Sequence, residues 1–329
     1  MKKQKLSRDS VLNNFFGRPE IFADLFNTWI YDGEQVIRPE GLVPADRLLS
    51  ETIGNSKGFV KLTRFRDIFK VYRDKDATYI MLGIENQSAI HYAMPLRNMI
   101  YDALALLARV RQKQKKHLAL KDLKHPDEYL SRFSLTDHLD PVITLVVYTG
   151  SRPWDGPQSL HEMIKFPNEK LRRYVPDYFI NLIVPVKLSE AQLAKLNTEL
   201  CEVFGYIKYA KDKDLLYAFI RQHPKFQELS YDAVMAINVC TNAKIKLTTS
   251  KEEKINMCQA LIDMKQEAWQ DGHDSGWKDG HDSGVTDTTT AIVLRMHALH
   301  TFSIDDIAVA TALSPAEINA ILEKSQSAS

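Results

Sequence analysis

Cysteine is scarce in this chain: Cys201, Cys240 and Cys258 are the only three in 329 residues, and no two form a CxxC pair. Their number and spacing build neither a disulfide framework nor a zinc site. An excess of one charge is also missing, since 43 Lys+Arg stand against 42 Asp+Glu. That excludes a polyanion binder acting through net charge but leaves room for a local basic patch. Long hydrophobic runs are missing too: the run from Val142 to Val147 falls far short of a bilayer span. The basic N-terminus, Met-Lys-Lys-Gln-Lys, is followed by no apolar stretch, so no signal peptide is expected. The chain reads as cytoplasmic, with no membrane partner. What it does have is an ordinary globular composition, 44% hydrophobic and 26% charged. Its length suits about two domains at roughly 150 residues each.

Residues 19–31 carry apolar side chains at helical spacing, opened by Pro19 and stopped by Gly33. Two runs rich in β-branched and aromatic residues, 59–72 and 78–85, flank a polar turn and predict a β-hairpin. The pattern then predicts a long helix over 93–116, apolar in its first half and basic in its second. Residues 141–149, PVITLVVYT, form a short apolar run expected as a buried strand. A further strand is expected over 178–186. Mostly helix follows over 189–230, and again over 230–270 with a polar break at 241–250. This order describes an α/β fold with a mixed sheet, without the regular alternation of a doubly wound parallel one.

Four glycines fall at 272, 276, 280 and 284, within an eight-residue repeat, GHDSGWKD then GHDSG. Each costs a helix about 1 kcal/mol relative to alanine, so a weak helix or hinged connector is expected. The His273-Asp274 and His281-Asp282 pairs lie in this polar repeat and read as spacer, not as metal ligands. Ser303 precedes one terminal helix, and Ser314-Pro315-x-Glu317 is a capping box opening another. The two resemble a truncated helix-turn-helix whose turn lacks the usual glycine, with DNA reading and packing on another subunit as equal alternatives. The expected divisions are 1–186, an α/β domain; 187–270, a helical extension; 271–290, the repeat connector; and 291–329, a small helical segment. Assembly into a homo-oligomer through the C-terminal repeat is a further expectation.

Chemistry concentrates between Arg64 and Asp102. Glu85 and Gln87 are two apart on a strand and share a face. Asp67 lies on the preceding strand. An odd-length turn between the strands places Asp67 on the same face as Glu85, whereas a two-residue turn at 75–76 reverses the facing. Two carboxylates on adjacent strands beside an amide make a hard-oxygen site suited to Mg²⁺ or Mn²⁺, although acids on a strand face are more often simply solvated. The apolar residues before Glu85, Ile80 to Ile84, indicate a buried acid that needs a partner. The run from Arg109 to Lys124 holds seven Lys/Arg and one acid, Asp122. Its Arg109, Arg111, Lys113, Lys115 and Lys116 form either a phosphate track or a solvated face. Trp154 either stacks on a base or anchors its loop.

Asp67, GIENQ (Gly83 to Gln87) and HYAMPLRNMIYDA (His91 to Ala103) together resemble the Rpn family of recombination-promoting nucleases, the YhgA-like transposases, of the PD-(D/E)XK nuclease superfamily. The resemblance extends to FGRPEIFADLFN (Phe16 to Asn27), to Pro141–Met163 and to VPDYFINLI (Val175 to Ile183). It implies a PD-(D/E)XK core over 1–186 and Mg²⁺-dependent endonuclease cleavage of DNA, linked to recombination, mobile elements or defence against foreign DNA. Asp67 and Glu85 are implied as metal ligands, and Gln87 takes the place of the superfamily lysine, able only to hydrogen-bond. Glu20 or Asp24, four apart on the first helix, is the candidate further acid, or both are exposed acids of a first turn. Arg97 and Tyr101 match an R-x-x-x-Y element, with Arg97 on phosphate, on a catalytic carboxylate, or simply on Tyr101. The alternative is a nuclease-fold protein that binds DNA or assembles partners without cutting.

Overall fold

The structure is a computed structural model, and it describes residues 7–45, 48–55, 58–65, 67–73, 79–247 and 254–327. The chain divides into two compact units, Met1–Ala260 and Leu261–Ser329. The first unit begins with helices α1 (Arg8–Gly17) and α2 (Pro19–Ile30), and strands β1 (Leu42–Pro44), β2 (Leu48–Asn55), β3 (Gly58–Phe65), β4 (Ile68–Arg73) and β5 (Tyr79–Gln87) follow. Helices α3 (Met94–Leu120) and α4 (Pro126–Ser131) lead to β6 (Val142–Tyr148), α5 (Leu160–Met163) and β7 (Asn181–Ile183). Helices α6 (Glu190–Leu193), α7 (Leu200–Tyr209), α8 (Lys213–Gln222) and α9 (Tyr231–Thr241) complete the unit up to α10 (Met257–Ala298).

The main sheet has the order β1-β4-β5-β6-β7. Its β1–β4 and β4–β5 pairs are antiparallel, and its β5–β6 and β6–β7 pairs are parallel. This is the mixed sheet of an α/β fold. The first run of strand-like residues is not one strand. Its β3 half pairs with β2 in a separate two-stranded sheet, and the chain bends at Asp67 before β4 begins. The expected strand over 178–186 shrinks to Asn181–Ile183, because Pro185 has no N–H to give a ladder. Of the segment expected as a helical extension, 187–260 belongs to the first unit, with α9 against α1 and α7, and 261–270 to the second.

Alternation along β4 and β5 divides the surroundings of the sheet. One face carries Lys70, Leu82, Ile84 and Asn86 toward α1 and α2: Lys70 Nζ donates to the Gly17 carbonyl at 2.7 Å, and Asn86 Nδ2 donates to Asn13 Oδ1 at 2.6 Å. Phe15, Phe16, Phe22 and Phe26 of α1 and α2 are fully buried. The other face carries Phe69, Val71 and Met81 against Leu104 and Ala105 of α3.

The second unit holds most of α10 together with α11 (Ile304–Thr311) and α12 (Pro315–Ser327), around Val293, Ile307, Ile318 and Leu322. Helix α10 continues through the glycine repeat. Trp269 stacks on His273 and Trp277 on His281, each pair with centroids 5.3 Å apart, and such i, i+4 contacts offset part of the glycine cost. Both His-Asp pairs are exposed, and among the described residues no group of three metal-type ligands forms around them. Ser314 and Glu317 form the reciprocal capping box, with Glu317 Oε2 accepting from Ser314 N at 2.8 Å. The glycine-free turn after α11 forces Ala312 to φ 57°, a left-handed conformation that a Cβ disfavours. Ala312→Gly is therefore expected to stabilise this unit by about 0.5–1 kcal/mol. Chemical denaturation checks this: an unchanged or lowered midpoint contradicts it.

Candidate active site

The β4–β5 register runs from Ile68↔Ile84 to Arg73↔Tyr79, leaving an odd number of residues between the last pair. The turn itself, 74–78, lies outside the described residues. The ladder stops at Ile68↔Ile84, one residue short of Asp67, and alternation along β5 sets Glu85 on the face of Met81, toward α3. Asp67 sits at the bend, where its own backbone leaves the ladder. Its Oδ2 accepts the Asn86 N–H at 2.8 Å, so the side chain extends the pairing of β5 where the strand no longer can.

Glu85 is fully buried, and the apolar run before it is the reason: its strand is covered by helices on both faces. A carboxylate taken out of water needs a compensating charge. Arg97 of α3 supplies one, with Nη2 3.2 Å from Glu85 Oε2. The guanidinium is held in turn by Tyr101, which accepts from Nε at 2.9 Å and lies beneath it at 5.5 Å from the ring centroid. Burial works against the charge on Arg97, but Glu85, Tyr101 and Asp67 outweigh it and raise its pKa above the ordinary value. The R-x-x-x-Y spacing thus delivers a cation to Glu85.

Residues not singled out in the sequence fix α3 in this position. Asp102 accepts from Thr144 Oγ1 of β6 at 2.8 Å and from the Tyr178 hydroxyl. Asn98 lies one turn before Asp102 on the sheet-facing stripe and is fully buried, and neither end of its amide has a hydrogen-bond partner among the described residues. A polar residue inside an otherwise apolar helix stripe was the available signal for Asn98. Gln87 stands half-buried at the end of β5, two residues beyond Glu85 and level with Tyr148 of β6.

A hard divalent cation wants oxygen donors, and Asp67 and Glu85 offer two carboxylates whose charges both act on Arg97. Asn98 adds an amide oxygen in the same helix–sheet layer. Among the described residues no group of three His, Cys, Asp or Glu comes together. The donor set still fits Mg²⁺, which is commonly held by one or two carboxylates and completed by water and substrate oxygens.

Glu20 and Asp24 are not brought to this place. They belong to α2, which contacts the opposite side of the sheet through Phe22, 5.1 Å from Lys70 Nζ. Glu20 pairs with Arg18 at 2.7 Å. Asp24 is buried and caps the segment before α7: it accepts from Asn197 N at 3.0 Å, from Thr198 N at 2.9 Å and from Thr198 Oγ1 at 2.6 Å. The reading of the two as exposed first-turn acids also gives way at Asp24, which is only 2% exposed. Asp24→Asn is expected to lower stability by about 1.5–3 kcal/mol, the worth of hydrogen bonds to a charged group. Activity per folded molecule is expected to stay unchanged, and denaturation and turnover measured together check both.

The basic half of α3 divides. Arg109, Gln112, Lys113 and Lys116 lie on one side of the helix and line a cleft with Arg73 and Asp140. Lys113 pairs with Asp137 at 3.1 Å and Arg109 approaches Asp140 at 3.8 Å. Arg111 and Lys115 project from a different side and are exposed. His117 bridges Asp122 and Asp137, each at 2.7 Å, tying residues 122–137 to the helix; those two hydrogen bonds raise its pKa. Trp154 is buried, donates to the Gly156 carbonyl at 2.8 Å and packs edge-on against Tyr148. It anchors its loop and has no face free for a base.

Among the described residues no helix is long and apolar enough to cross a membrane. The family model described as "Putative transposase, YhgA-like" matches residues 63–233, just over half of the chain. That span includes Asp67, Glu85, Gln87, Arg97 and the basic half of α3. None of the curated proteins and none of the solved structures compared matches the chain.

Proposed function

We propose that this chain, which belongs to the YhgA-like family of putative transposases, is a metal-dependent DNA endonuclease with a PD-(D/E)XK type of core. The observation that carries this reading is the fully buried Glu85, paired with Arg97 at 3.2 Å, with Asp67 held on the N–H of the next residue, Asn86, at 2.8 Å. Asp67 and Glu85 hold the cation, Mg²⁺ or Mn²⁺, and Asn98 stands in the same layer. When bound, the cation supplies a water made acidic enough to attack and offsets the charge on the phosphate. Gln87 has no charge to give; its amide orients the attacking water or a phosphate oxygen. Arg97 balances Glu85 in the absence of the cation. The cleft of Arg73, Arg109, Lys113 and Lys116 takes the DNA backbone away from the reacting bond. A role in recombination or in the movement of mobile elements follows from the family.

The test is incubation with supercoiled plasmid in Mg²⁺, Mn²⁺, Ca²⁺ or EDTA. Nicking or linearisation is expected with Mg²⁺ or Mn²⁺ and none with EDTA. A protein that binds the plasmid but leaves it intact in every metal supports the second reading, a nuclease-fold DNA-binding protein, which the cation already resident at Glu85 favours.

A further inference from the structure

The cation that Glu85 carries is a side chain of the protein itself. Arg97 lies 3.2 Å from Glu85 Oε2, within the field of Asp67, and it is fixed at its other edge by the Tyr101 hydroxyl. A guanidinium and a divalent cation on the same carboxylate repel one another, and a charge leaving that position needs a new anion. The nearest one the reaction provides is the substrate phosphate, for which an arginine fork is well matched. The Arg97 side chain is 29% exposed, so it can turn outward without unpacking the helix.

We infer that Arg97 is a resident counter-ion of Glu85 that a divalent cation displaces, and that the displaced guanidinium then grips the DNA phosphate. This makes Arg97 a positioning residue that couples metal binding to DNA binding. The inference rests on the reading of Asp67 and Glu85 as the cation site. Metal loading should strengthen the protein's hold on DNA through Arg97, and DNA should strengthen its hold on metal by the same factor, as linkage requires.

The experiment measures Mn²⁺ affinity by electron paramagnetic resonance of free Mn²⁺, and duplex affinity with and without Ca²⁺. It uses the full chain as wild type, Arg97→Met, Tyr101→Phe and Glu85→Gln. Arg97→Met is expected to bind Mn²⁺ at least about tenfold more tightly, since a competing charge is gone, and to lose the Ca²⁺-induced gain in duplex affinity. A side chain with a merely structural role would weaken both. Tyr101→Phe releases one anchor of the guanidinium while keeping its charge, so it should tighten Mn²⁺ binding in the same direction, and it carries the test if Arg97→Met does not fold. Unchanged or weaker Mn²⁺ binding in these variants, with binding abolished by Glu85→Gln, overturns the inference about Arg97 alone. Wild-type Mn²⁺ binding that Glu85→Gln leaves intact, or no wild-type binding at millimolar Mn²⁺, overturns the cation-site reading beneath it.

Discussion

Glu85→Ala is expected to abolish DNA cleavage, by at least about a thousandfold, because it removes one of two carboxylates that hold the cation and the several kcal/mol of charge stabilisation that go with it. The same change is expected to destabilise the first unit. Arg97 then keeps a partly buried charge without its partner at 3.2 Å, and breaking a buried pair from one side costs about 3–5 kcal/mol. With the Arg97 side chain 29% exposed, water reaches it and the loss belongs at the low end. The two effects separate in a cycle. Glu85→Ala combined with Arg97→Met removes both charges, so stability should recover toward wild type while cleavage stays lost. Denaturation and plasmid assays on the four proteins check this; a double variant as unstable as the Glu85 single variant contradicts the pairing.

The second large effect concerns the far end of α3. Arg109 lies 12 residues beyond Arg97 and Lys116 lies 19 beyond it, which is about 18 and 28 Å along a helix. On a duplex rising about 3.4 Å per base pair this reaches about five to eight base pairs from the reacting phosphate. Arg109→Glu with Lys116→Glu is expected to weaken duplex binding at least about tenfold at 0.1 M salt and to flatten the salt dependence of log K by about 2. Duplexes too short to reach the cleft should bind wild type and variant equally. An Arg111→Glu, Lys115→Glu protein, altered on the other side of the helix, is expected to lose less. Equal losses from the two pairs would mean that the cleft has no special part in binding.

Much of this arrangement was legible in the residues, and what was not has identifiable causes. The apolar run from Ile80 to Ile84 marked a buried strand that carries an acid, and Glu85 is indeed fully buried near its end. The bend at Asp67 was hidden because residues 64–67, Arg-Phe-Arg-Asp, contain no glycine or proline to announce it. Spacing set Glu20 and Asp24 on one helix face, but which face of the sheet α2 would cover depends on contacts far away in sequence, such as Asp24 with Thr198. The basic run showed its composition, not its partners: Asp137 and Asp140, brought back by the segment after α3, take part of its charge. Local patterns such as the Ser314–Glu317 box needed no such long-range information, since both partners lie within one turn.

The most direct test of the acid pair as the reacting centre compares plasmid cleavage by wild type, Asp67→Ala, Glu85→Ala, Glu20→Ala and Asp24→Asn in Mg²⁺, at equal concentrations of folded protein. Cleavage lost in the Asp67 and Glu85 variants and kept in the Glu20 and Asp24 variants is the result this geometry predicts. Cleavage that survives in Glu85→Ala, or that disappears with Glu20, would move the chemistry to the other face of the sheet and contradict it.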